Sequence, residues 1–265
     1  MWSVLIIVEM NKKLEFIGII PARYASTRFP GKPLAMLSGQ MMIERVWRQA
    51  KKAIDRVWVA TDDSRIYDAV KAFGGDVVMT SSEHRSGTDR CQEAFEKIGG
   101  GEDVIINIQG DEPFIQPSQL QAIKACFDDA DTQIATLVRR FDASRGYDAL
   151  ADANTPKVVV DNHMNALYFS RSVIPFVRSA EKELWAERHQ YFTHVGMYAY
   201  RSEVLAQITQ LPQSSLELAE SLEQLRWLQN GYRIKVGVTD CETIGIDTPA
   251  DLAKAVELIE HGCIE

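Results

Sequence analysis

Through its first half the chain alternates short apolar runs with amphipathic helical stretches, and few architectures accept that rhythm. Strand candidates lie at 16–20, 57–60, 77–79 and 104–108, and helix candidates at 41–53, 64–73 and 88–98 fall between them. Strand, helix, strand in repeated order predicts an α/β fold, a parallel sheet with crossover helices. Ser64 is positioned to cap the second helix, and Gly74-Gly75 to end it. Gly99-Gly100-Gly101 stops the third, and Pro117 suits the start of another helix at 118–127.

After Thr132 the rhythm changes. Runs at 135–139, 158–160, 166–169, 196–200 and 234–238 read as strands separated mostly by irregular polar segments. That pattern predicts mixed or antiparallel pairing added to the parallel core. The poorly periodic region 141–194 reads as a smaller β-rich insertion serving as a flap or dimer surface. A last helix is expected at 250–260, with Asp247 or Thr248 as its cap and Pro249 at its first position. No segment rich in Pro, Gly or Ser divides the chain, so a single domain over 16–261 is expected. Residues 1–15 read as an extension outside the core. The apolar leader from Trp2 to Val8 lacks a basic residue before it and a small-residue cleavage site after it, so it makes a poor signal peptide. The natural start is expected at Met10.

Between the first strand and the first helix runs Ile19-Ile20-Pro21-Ala22-Arg23-Tyr24-Ala25-Ser26-Thr27-Arg28-Phe29-Pro30-Gly31-Lys32-Pro33-Leu34. Three cations, Arg23, Arg28 and Lys32, lie in one loop whose Gly31 frees the backbone, an arrangement suited to a polyphosphate. Pro33 follows Lys32 where a Walker A loop has Ser or Thr, and G-x-G-x-x-G is also missing. The loop therefore points to nucleoside triphosphate chemistry by a third route. The net charge of −8 argues against nonspecific nucleic-acid binding, which needs a basic surface. A local cationic cluster on such a chain suits a small anion. No apolar run approaches the roughly 20 residues that span a bilayer, and the expected location is the cytoplasm. Cys91, Cys126, Cys241 and Cys263 have no metal-site spacing and read as isolated thiols.

Asp111 follows the fourth strand candidate in Asn-Ile-Gln-Gly-Asp-Glu-Pro. Ligands of open parallel sheets bind beyond the strands' carboxyl ends, where this carboxylate can hold Mg²⁺ against phosphate oxygens or simply serve a turn. Asp247 is a candidate second ligand or a helix cap. In His84-Arg-Ser-Gly-Thr-Asp-Arg90, the Ser86, Gly87 and Thr88 groups can meet a base or ribose edge, or only start a helix. A helical pattern at 216–228 puts Leu218, Leu222 and Leu225 on one arc and Glu220, Glu223 and Gln224 on another. An acidic face of that kind is normally solvated. His194 and Tyr198 share a strand face, as ligands or as a buried pair. Arg171 can form a bidentate pair with a carboxylate. No Ser/His/Asp or Cys/His nucleophile set is evident, and phosphoryl transfer to a substrate hydroxyl needs none.

These motifs occur together in a recognisable order: IIPARYASTRFPGKPL, WVATDD, HRSGTDR, NIQGDEPFI, ALYFSRSVIPF, HVGMYAYR, LEQLRWLQNGY and GIDTPADL. They resemble the 3-deoxy-D-manno-octulosonate (KDO) cytidylyltransferases of Gram-negative bacteria over nearly the whole chain. The resemblance implies a Rossmann-like nucleotide-diphospho-sugar transferase fold with a mixed, mostly parallel sheet, helices on both faces, and a homodimer. It implies that CTP and KDO give CMP-KDO and pyrophosphate with Mg²⁺, for lipopolysaccharide synthesis. By matching motif, Arg23 and Lys32 would hold the triphosphate, and Asp111 and Asp247 the metal. Pro21, Ala22, Ser86, Gly87, Thr88 and Gln109 would surround the cytidine. Arg171, His194, Tyr198, Glu223 and Gln224 would face the sugar acid. A related acidic sugar, such as 8-amino-KDO or a sialic acid, and a non-catalytic nucleotide-binding role are the alternatives.

Overall fold

The computed structural model describes residues 13–26, 28–242 and 245–261. Met10, Thr27 and Cys263 lie outside the described residues. The chain runs through β1 (Phe16–Ala22), β2 (Met36–Leu37), β3 (Gln40–Met41), α1 (Met42–Lys51), β4 (Arg56–Thr61), α2 (Ser64–Ala72) and β5 (Asp76–Met79). It continues through α3 (Gly87–Lys97), β6 (Val104–Asn107), α4 (Pro117–Ala125), β7 (Ile134–Arg140), α5 (Gly146–Leu150), β8 (Lys157–Val160) and β9 (Ala166–Ser170). Then come α6 (Trp185–Arg188), β10 (Phe192–Arg201), α7 (Ser202–Ile208), α8 (Ser215–Glu220), α9 (Gln224–Gln229), β11 (Ile234–Val238) and α10 (Pro249–Glu260).

Among the described residues the main sheet follows the order β11-β7-β10-β6-β1-β4-β5, with β8 and β9 attached beside β10. Strands β6, β1, β4 and β5 are parallel. β10 is antiparallel to both its neighbours, β6 and β7, and β11 is parallel to β7. The sheet is therefore mixed and mostly parallel, as the sequence rhythm predicts.

Alternation along β1 explains the layering. Ile17 and Ile19 face one side of the sheet with Cys91 and Phe95 of α3, Leu205 of α7 and Trp227 of α9. Ile20 and Ala22 face the other with Val46 of α1, Val70 of α2 and Ile123 of α4. Period-two side-chain alternation in a strand buried on both faces produces these two cores. A third cluster joins Leu37, Met42, Phe114, Ile246 and Ala255, and so docks α10 beside the loop after β1. The insertion has its own small core of Phe141, Leu150, Trp185 and Tyr191. At the start of the described chain, Leu14 packs on the first core and the Glu15 amide donates to the Asp103 carboxylate at 2.9 Å.

Several local expectations are corrected. Asp63, rather than Ser64, caps α2, accepting from the Arg65 amide. The α10 expectation holds: Thr248, one of its two candidate caps, closes it in a reciprocal box with Asp251, with Pro249 at its first position. The expected helix at 216–228 is two helices. Ser214 and Glu217 form a capping box that starts α8, and Ser221 ends it in the left-handed region at φ 51°. Leu218 is consequently 61% exposed, off the apolar arc, whereas Leu225 is buried. The strand expected at 196–200 begins at Phe192, because a bulge lets it continue past Gly196.

Candidate active site

The parallel strands deliver their C-terminal ends to one edge of the sheet, where the loop after β1 meets two acidic turns. Gly31 sits at φ 73° and donates its N–H to the Tyr24 carbonyl at 2.9 Å, closing the loop. A side chain there would need a disfavoured backbone and would meet the Tyr24 ring at 3.1 Å. Lys32 follows at the start of a short 3₁₀ turn. Pro21 is approached from both sides: a Cβ on Gly110 would lie 3.1 Å from the Pro21 carbonyl oxygen, and one on Gly87 would lie 3.1 Å from its ring. Glycine at both positions lets the Asp111 turn and the start of α3 crowd the end of β1.

Lys32 joins the two acidic turns. Its Nζ lies 2.7 Å from Asp111 Oδ2 and 3.1 Å from Asp247 Oδ1. Arg28 Nη2 reaches Asp247 Oδ2 at 3.1 Å. The Ile246 amide donates to the Asp111 carbonyl at 2.9 Å, holding the second turn to the first. Asp251, in the first turn of α10, accepts from the amides of Asp247 and Thr248 and fixes the approach. Arg23 is exposed at the loop's start. The loop thus brings three cations to an edge where Asp111 and Asp247 supply carboxylates.

Among the described residues no group of three or more His, Cys, Asp and Glu side chains gathers as a metal centre. The Asp111–Asp247 pair still fits Mg²⁺. Both are hard oxygen donors drawn to one cation, and Mg²⁺ commonly takes one or two carboxylates and completes its octahedron with phosphate and water.

Along the same edge, on the α3 face, lies a second group. Ser86 caps α3, and Thr88 Oγ1 donates to Glu223 Oε2 at 2.8 Å. Burial raises the Glu223 carboxyl above its usual range. Gln224 is buried, and its Nε2 has no hydrogen-bond partner among the described residues. Gln224 is thus buried and Glu223 half-buried, whereas the sequence pattern suggests a solvated acidic face. Gln109 Nε2 donates to the Gly196 carbonyl at 3.2 Å.

The β10 bulge brings His194 and Tyr198 together. Val195 pairs with Leu137 and Tyr198 with Thr136, so two extra residues are looped out of register. In a regular strand the two residues would stand about 13 Å apart, yet their ring centroids are 5.4 Å apart. Two extra residues also keep both on one face. His194 Nε2 is 3.0 Å from Thr136 Oγ1. Burial lowers its pKa to about 4, so the ring is neutral at pH 7.

Arg171 is differently disposed. Its guanidinium donates to the carbonyls of Glu220 (2.6 Å), Ala153 (2.8 Å) and Ser221 (3.2 Å). The Glu220 carboxylate in turn accepts from Ser170 Oγ and the Arg171 amide. The structure therefore gathers Ser86, Gly87, Thr88, Gln109, His194, Tyr198, Glu223 and Gln224 at one edge, while the Arg171 head is turned into loop carbonyls. Glu112 and Thr136 escape a reading of the sequence. Glu112 is overshadowed by Asp111, although burial and the Asp111 charge push its carboxyl up to about 7. Thr136 is one of many strand threonines until the bulge gives it a role.

A cytidylyltransferase family model matches residues 17–235. The 3-deoxy-manno-octulosonate cytidylyltransferase of Bacteroides thetaiotaomicron is 65% identical over 248 residues, covering 94% of this chain and 99% of that protein. The protein of the same name from Phocaeicola vulgatus is 66% identical over 248 residues, covering 94% and 98%. Among solved structures, CMP:2-keto-3-deoxy-manno-octonic acid synthetase complexed with CTP matches with a TM-score of 0.85 at 43% identity, covering 94% of this chain and 99% of that one.

Proposed function

The chain belongs to the cytidylyltransferase family, and we propose that it activates KDO, converting CTP and the sugar acid to CMP-KDO and pyrophosphate. The observation that carries the proposal is the Lys32 ammonium held between Asp111 and Asp247 at the strand edge. The high identity to two proteins named for this reaction supports the choice of sugar.

In this reading Arg23 and Lys32 bind the triphosphate and offset the charge that builds on it in the transition state. Pro21, Ala22, Ser86, Gly87, Thr88 and Gln109 enclose the cytidine. His194, Tyr198, Glu223 and Gln224 orient the sugar acid, and Arg171 meets its carboxylate with the two N–H groups that its three loop carbonyls leave over. The anomeric hydroxyl then attacks the α-phosphorus in line, and pyrophosphate leaves on the opposite side. Positioning and charge neutralisation supply most of the acceleration, with no covalent enzyme intermediate. Asp111 and Asp247 would hold Mg²⁺, which when bound neutralises phosphate oxygens. The protein acts in the cytoplasm as one domain over 16–261, and the insertion at 141–194 serves a homodimer contact. Exposed Leu167 and Phe176, 62% and 72% accessible, support that surface.

The experiment is pyrophosphate release from CTP and Mg²⁺, measured alone and with KDO, 8-amino-KDO or a sialic acid. Release with KDO well above the others supports the proposal. Preference for another sugar replaces KDO, and CTP binding with no release from any sugar leaves the non-catalytic alternative.

A further inference from the structure

β6 and β7 both run antiparallel to the strand between them, β10, so their C-terminal ends share one edge of the sheet. That edge carries a cleft of about 310 Å³ beside the Asp111 turn, lined by Glu112, Arg139, Ala149, Asn154, Thr155 and Gly196 among others. Roughly ten waters' worth of volume fits there. No residue in the motifs above other than Glu112 and the His194–Gly196 corner reaches it.

The lining selects the ligand chemistry. Arg139 is paired with Glu242 at 3.1 Å, and Arg145, the other cation of the lining, lies over the Phe141 ring at 5.9 Å. Glu112 Oε2 is buried with no hydrogen-bond partner among the described residues. Such an acceptor lowers the energy of a state in which a donor reaches it. The terminal torsion of a glutamate is broad, so a small turn presents this oxygen to the cleft. Hydroxyl groups supply donors without adding a charge that Arg139 or Glu242 would oppose.

Position narrows the choice further. Glu112 directly follows Asp111, so the cleft begins at the residue next to the proposed metal ligand. The passage from the His194–Tyr198 side crosses Gly196, where even a Cβ would meet nothing within 4 Å. We infer that this cleft receives the polyhydroxylated tail of the sugar acid, and that Glu112 is a specificity-determining residue that accepts a hydrogen bond from a tail hydroxyl. The inference rests on the sugar-activating reaction proposed above.

Two variants test it. Glu112→Gln keeps shape and one acceptor but removes the charge. Ala149→Leu adds bulk to the cleft wall at a residue assigned neither to substrate nor to metal. Both are assayed by pyrophosphate release, with CTP binding measured by calorimetry as a check on the fold. Expected are a sugar KM raised about tenfold or more, a CTP Kd within twofold of wild type, and a shift in the KM ratio between KDO and 8-amino-KDO for Glu112→Gln. Sugar KM values within twofold of wild type in both variants overturn the tail subsite. A wild-type protein that releases no pyrophosphate with any sugar acid overturns the underlying reaction, and the subsite with it.

Discussion

Lys32 and Asp111 are 79 residues apart in sequence, and their side chains meet at 2.7 Å. The contact spans two strands of the parallel core and ties the cationic loop to the acidic turn after β6. Lys32 is only 14% exposed there, and it also reaches Asp247.

Removing that ammonium leaves two carboxylates facing each other and one fewer cation for the triphosphate. Lys32→Ala is expected to lower kcat by at least about 100-fold, the scale of one electrostatic transition-state contact. The CTP KM should rise and the sugar KM should change less. Steady-state kinetics varying each substrate in turn check this.

Asp111→Asn keeps shape and loses charge. Turnover should fall by orders of magnitude while the melting temperature stays within a few degrees of wild type. Near-normal turnover in this variant removes Asp111 from the metal role.

His194 makes stability depend on pH. Its native pKa is about 4 because of burial, against about 6.5 in the unfolded chain. The unfolded state therefore takes up a proton between pH 6.5 and 4 that the native state refuses. The His194 contribution falls as pH drops through that window, by about 3 kcal/mol at its lower end, while the raised Glu112 carboxyl acts in the opposite sense. The His194 part is read by comparing urea unfolding at pH 7 and pH 5 in wild type and His194→Asn, the variant losing less stability, or gaining more, on going to pH 5.

Glu217 and Arg226 form a buried two-point ion pair at 2.8 and 2.6 Å. It joins α8 to α9 across the Ser221 turn. Glu217→Ala strands a buried guanidinium and should cost about 3–5 kcal/mol, read as a lowered melting temperature. It should also raise the sugar KM, because Glu223 and Gln224 follow that turn.

Much of this architecture is legible from residue patterns, for a physical reason. The strands β1, β4, β5 and β6 and the helices between them are set by local periodicity, and their core faces follow from it. Asp111 is legible because it stands just past the end of β6, and Lys32 because it shares one loop with Arg23, Arg28 and Gly31. The features that escape depend on distant partners. Ser221 breaks a continuous helical pattern where Arg171, 50 residues earlier, holds its carbonyl. The bulge that joins His194 to Tyr198 is fixed by Thr136 on the neighbouring strand, whose hydroxyl donates to the Met197 carbonyl at 2.8 Å. Asp63 displaces Ser64 as a cap because its carboxylate also pairs with Arg65.

The central claim is that the two acids and the lysine converge on one CTP during transfer to a sugar acid. It is tested most directly by pyrophosphate release from CTP, Mg²⁺ and KDO in wild type, Asp111→Asn and Asp247→Asn. The account predicts release only when all three reactants are present, and a loss of at least about 100-fold in each variant. Release that is indifferent to KDO, or that survives both substitutions, contradicts it.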